Sequence, residues 1–110
     1  AAPVAVAASA PTAPVAIARC RSYNPAVLLR QLQVMADQIG GLARLVNGKT
    51  VAVKVNLTGD ARQGMLGLPA GRTYHVHPIM VVAVAVLLDA AGARRIRFLE
   101  TSYQLRQFET

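Results

Sequence analysis

Two short β-branched stretches flank one long apolar stretch between residues 50 and 100, and that order limits the fold more than any other feature. The first stretch, TVAVKVNL over 50–57, places Val51, Val53 and Val55 on one side and Ala52, Lys54 and Asn56 on the other, which is the two-residue alternation of a strand. The long stretch, HPIMVVAVAVLLDAAG over 77–92, outruns an ordinary strand and closes at Gly92, a helix-stop residue. It is apolar nearly all round, which predicts a buried helix, and it is too short to span a bilayer. The last stretch, ARRIRFLE over 93–100, reads as a second strand with Ile96 and Phe98 on one side, Arg95, Arg97 and Leu99 on the other, and Glu100 at its carboxyl end. Strand, helix, strand in that order is a βαβ unit, so the two strands should be parallel neighbours. The expected fold class is α/β, with a three-layer-like βαβ core of parallel strands, an N-terminal helix and a flexible Ala/Pro leader.

Upstream, SYNPAVLLRQLQVMADQIGG reads as that helix. Asn24 is a fitting N-cap and Pro25 a fitting first residue. Val27, Leu28, Leu32, Met35 and Ile39 recur near helical spacing, and Gly40 with Gly41 supplies a stop. LARLVNGKT then gives a short helical turn and a loop around Asn47-Gly48. VAIARC over 15–20 alternates as a short strand would. Residues 1–16 are small, uncharged and punctuated by proline, the composition of an extended or disordered spacer. Such a spacer follows cleaved export signals, which favours an exported or periplasmic protein; a cloning boundary explains it equally. The remainder, 17–110, is expected to be a single α/β domain, whole or partial.

Of the 110 residues, 54% are hydrophobic and only 15% charged, so a core is feasible, although much of the apolar material is Ala and Val. Twelve Lys and Arg against five Asp and Glu give a net charge of +7, and ten of the twelve cations are arginine. Such a chain is drawn to nucleic acid, anionic lipid or anionic metabolites. No basic run is interleaved with aromatics as single-strand binding requires, so nucleic acid is not the expected partner. Cys20 is the sole cysteine. It excludes an internal disulfide and any multi-thiolate zinc or iron–sulfur site within this sequence. Arg19 and Arg21 beside it would favour a reactive thiolate; an ordinary thiol near a strand end is the alternative.

The candidate site is where polar residues reach the strand ends. In open α/β sheets, ligands bind outside the carboxyl ends of the strands. Lys54 as a point charge and Asn56 as an orienting donor can hold an anion there, or both can cap an exposed strand end. Glu100 can ligate a metal or act as a general base, or it can pair with Lys54 and fix the two strands. A glycine-rich connection over 58–78 links strand to helix. It is long for such a connection and carries His75 and His77. An H-x-H can hold a divalent metal if Asp60 or Glu100 adds oxygen; otherwise His77 caps the helix and His75 is solvated. The helix start also offers N–H groups to an anion. Neither G-x-G-x-x-G nor a Walker loop is present. Met65 and Met80 read as packing residues.

In order and spacing, several of these motifs resemble the N-terminal portion of the domain-of-unknown-function 362 family. The matching positions are Gly48, Lys49, Lys54, Asn56, His77, Pro78, Gly92, Ala93, Ile96 and Glu100. CRSYN over 20–24 resembles the family's lead-in, and the likeness runs from about Ile17 to Glu100. The resemblance implies a longer polypeptide. Many members carry ferredoxin-like cysteine clusters and some are exported; with Cys20 alone, no iron–sulfur cluster is expected within this sequence. The reading is therefore an α/β domain binding a small anion or a divalent metal at Lys54, Asn56 and Glu100, with His75 and His77 as metal candidates. A non-catalytic module that self-associates as a homo-oligomer, or needs further chain, is the alternative.

Overall fold

The structure is a computed structural model, and it describes residues 10, 12–57, 62 and 64–100. Asp60 and most of the Ala/Pro leader lie outside the described residues. The elements follow in the order α1 (Pro25–Gln38), α2 (Ala43–Val46), β1 (Thr50–Lys54), a 3-10 turn (Ala70–Arg72), α3 (Pro78–Ala90) and β2 (Arg95–Leu99). This is a small α/β fold with an N-terminal helix.

Local chemistry sets the helix ends. Asn24 Oδ1 accepts from the N–H groups of Ala26 at 3.1 Å and Val27 at 3.3 Å, and Pro25 follows. These donors have no partner inside a helix, so the cap stabilises α1 directly. At the far end Gly41 N–H reaches back to Ala36 O at 2.8 Å. α3 ends similarly: Ala93 N–H donates to Leu88 O at 3.1 Å and Gly92 takes φ +90°. A Cβ at Gly92 would also collide with the Asn47 side-chain oxygen, so both backbone and space require glycine there.

β1 and β2 pair in parallel, Val51 opposite Ile96 and Val53 opposite Phe98. The sheet face carrying these residues and Val55 is half-buried, and α3 packs against it; α1 packs against α3. The other face, with Thr50, Ala52, Lys54, Arg95, Arg97 and Leu99, is exposed. Among the described residues the buried apolar ones are Leu28, Ala36, Val46, Ala70, Ala83 and Leu88.

Three expectations need correction. Residues 15–20 form no strand; alternation alone gives no element where no neighbouring strand supplies hydrogen bonds. β1 stops at Lys54 rather than 57, because the Asn56 carbonyl accepts from Val76 N–H at 2.9 Å and the chain leaves the sheet. The third concerns α3, which is not enclosed: Val82 and Val86 are 54% and 44% exposed. Two strands and one helix cannot surround a helix that is apolar on every side.

Candidate functional site

The carboxyl edge of the sheet gathers the residues singled out from sequence. Lys54 Nζ lies 2.7 Å from Glu100 Oε2 and also donates to Val55 O at 2.7 Å. Glu100 further accepts from Leu57 N–H at 3.4 Å. The Glu100 side chain is only 14% exposed, while that of Lys54 is 71% exposed. The carboxylate is thus held inside the edge and the ammonium faces outward. One donor direction of Lys54 remains for solvent or a ligand.

Asn56 points elsewhere. Its Nδ2 donates to Tyr74 O at 3.0 Å, which ties the long connection to the strand end together with the Val76-to-Asn56 backbone bond. His77 is the N-cap of α3, its Nδ1 accepting from Ile79 N–H at 3.1 Å. Its ring stacks on Tyr23, with centroids 3.8 Å apart and planes 9° from parallel. His75 is half-buried and meets Tyr74 edge to face at 4.9 Å.

The helix start is not an open anion site. Pro78 has no N–H, Ile79 is capped by His77, and Met80 N–H donates to His77 O at 2.9 Å. Nor do three His, Cys, Asp or Glu side chains come together among the described residues. The thiol of Cys20 is exposed and donates to Ser22 O at 3.2 Å.

Beside the ion pair lies a cavity of about 560 Å³ with walls from Val55, Leu57, Val81, Val82 and Phe98 and with Glu100 at its rim. It shares Val76 and Pro78 with a neighbouring cavity of about 410 Å³, which Arg72, His75 and His77 also line. Lys54 and Asn56 line a smaller recess of about 260 Å³ that shares Val55 and Phe98. The three form a contiguous cleft, apolar in its walls with a few polar groups at its margin, the ordinary makeup of a small-molecule site.

Sequence reasoning missed Arg72 and Tyr23. Arg72 stands at the end of the glycine-rich run 64–71, a basic residue close to the two histidines, and that placement was available as a signal. The pairing of Tyr23 with His77 is nonlocal and left no trace in spacing. No family model, curated protein or solved structure matches this chain.

Proposed function

We propose that the cleft at the carboxyl edge of the sheet binds a small organic molecule with an apolar body and an anionic group. The observation that carries this reading is the 560 Å³ cavity beside the carboxyl ends of two parallel strands, where ligands of open α/β sheets lie. Glu100 is neutralised by Lys54, so it does not leave the cleft negative. The outward Lys54 and the exposed Arg72 supply positive charge at its margin. The motif order that resembles the domain-of-unknown-function 362 family supports the reading from the sequence side.

A thermal-shift screen against phosphorylated and carboxylated metabolites and divalent metals tests it. A ligand at 100 times its Kd adds about 2.7 kcal/mol, a shift of about 10 °C or more for a domain near this size. The expected result is a saturable shift for an anionic metabolite, lost in Lys54→Ala and Arg72→Ala when each is compared with its own unliganded baseline. Shifts equal in all three proteins, or given by metals alone, would contradict the proposal.

A second reading starts from the exposed apolar surfaces, Val82 of the cleft wall among them. The sheet has one exposed face, and α3 exposes Val82 and Val86. A module completed by self-association or by further chain would cover those surfaces. It predicts particle size rising with concentration and no saturable small ligand.

A further inference from the structure

A further recess, of about 290 Å³, opens where the segment before α1 meets the 3-10 turn. Cys20, Arg21 and Ser22 line it, with Arg72 from the turn and Leu28 and Met80 from the two helices. Of the two methionines expected to pack, Met80 is half-buried here, whereas Met65 is 54% exposed. The side chains of Arg21 and Arg72 have no hydrogen-bond or ion-pair partner among the described residues. No carboxylate lines the recess. Two guanidinium groups therefore border one small space with nothing to balance them. Like charges so placed raise each other's energy unless an anion comes between them.

Local bonds order the segment that carries Arg21. Cys20 S–H donates to Ser22 O at 3.2 Å, and Ser22 Oγ accepts from Asn24 N–H at 2.9 Å. Tyr23, also on the recess wall, stacks on His77. Arg72 is set by its own N–H, which donates to Pro69 O at 2.9 Å, and by the buried Ala70 in the same turn. Ser22 Oγ accepts from Asn24, so its O–H remains to donate. The donor set is thus two guanidinium forks and a hydroxyl. Each fork matches a pair of oxygens. Two forks and two positive charges suit a phosphoryl group, with three acceptor oxygens and nearly two negative charges, better than a carboxylate with two oxygens and one charge. A water molecule's share of liquid volume is about 30 Å³, so the recess has room for such a group.

We propose that this recess is a phosphate subsite, in which Arg21 and Arg72 clasp a phosphoryl group and Ser22 donates to one of its oxygens. Arg21 lines none of the cleft's three cavities, and Arg72 lines one of them. The phosphoryl group is therefore free phosphate or the end of a phosphorylated ligand whose body lies in the cleft beyond Arg72. The subsite itself does not depend on the cleft being filled.

Cys20 is the sole cysteine and lies in the recess wall, so its alkylation by neutral iodoacetamide reads occupancy. A bound dianion covers the sulfur and opposes the thiolate through which it reacts. The full chain is titrated with inorganic phosphate at constant pH, with chloride balancing the ionic strength. Labelling should slow saturably, by about tenfold when the recess is full. Arg21→Gln should raise the half-saturating phosphate concentration about tenfold or more, the loss of one charged hydrogen-bonding partner. Each variant is compared with its own phosphate-free rate. Arg21→Lys, which keeps the charge and loses the fork, should recover only part of that loss. Arg19→Gln should match wild type, because Arg19 adjoins Cys20 in sequence but does not line the recess. Arg19 and Arg21 are both exposed, and melting temperatures check that the variants keep the fold. Absence of protection by phosphate, or equal losses in Arg19→Gln and Arg21→Gln, would overturn the proposal and leave only diffuse attraction by arginine. Phenyl phosphate separates the two sources. Protection at about tenfold lower concentration than phosphate would put its ring in the cleft, and equal concentrations would mean that the recess takes free phosphate. Phosphate protection without a saturable thermal shift from any organic metabolite would reject the cleft reading and keep this one.

Discussion

Lys54 and Glu100 are 46 residues apart in sequence and 2.7 Å apart in space. Because Lys54 is mostly exposed, the pair itself should be worth about 0.5–1 kcal/mol. Losing Lys54 alone costs more than losing both partners, since it strands a largely enclosed carboxylate. A double-mutant cycle of Lys54→Ala and Glu100→Gln, read by denaturant unfolding, should therefore give a favourable coupling of about that size. A coupling of zero would mean the two groups do not meet in solution. Gly92→Ala should cost about 1–2 kcal/mol, because φ is +90° and the Asn47 side chain blocks the new methyl. Gly41→Ala, at positive φ with open space around it, should cost less; equal losses would show that the contact with Asn47 contributes nothing. The Lys54–Glu100 encounter was legible in sequence because a βαβ unit sends both strands' carboxyl ends to one edge. The bond from Asn56 to Tyr74 was not, since it depends on how a long connection folds back.

Helices were more legible than strands for a physical reason. A cap and a stop are made by residues within one turn of the helix end, so Asn24, Pro25 and Gly92 announce α1 and α3 directly. Removing the α1 cap by Asn24→Ala should cost about 1 kcal/mol, and Asn24→Asp should restore most of it; melting temperatures of the two variants decide this. Strands depend on a neighbour that the local sequence does not contain. Residues 15–20 have the alternation and lack the partner, while 50–54 have both. The exposed side of α3 was hidden for the same reason: apolar residues on every side show what the helix would bury, not how many neighbours reach it.

Taken as a whole molecule, the fold rests on little enclosed material. Among the described residues six apolar side chains are buried, three of them alanine, and only Leu28 and Leu88 are leucines below 10% exposure. Leu88→Ala should cost about 2–4 kcal/mol, a large share of the stability of so small a unit, and its circular dichroism melt should lose cooperativity or shift down sharply. The exposed sheet face and the Val82–Val86 side of α3 are where association would begin, so Val82→Lys with Val86→Lys should lower any concentration-dependent size seen by light scattering. Unchanged size would place the contact elsewhere. No helix among the described residues is long and apolar enough to cross a membrane. Binding in the cleft is best read by NMR titration of isotope-labelled protein with the anionic metabolite that gives the greatest thermal shift. A ligand held in the cleft should give saturable amide shifts concentrated at Leu57, Val76, Val82 and Phe98 and abolished by Lys54→Ala. Shifts scattered over the arginine-bearing surface, or untouched by that substitution, would contradict binding there.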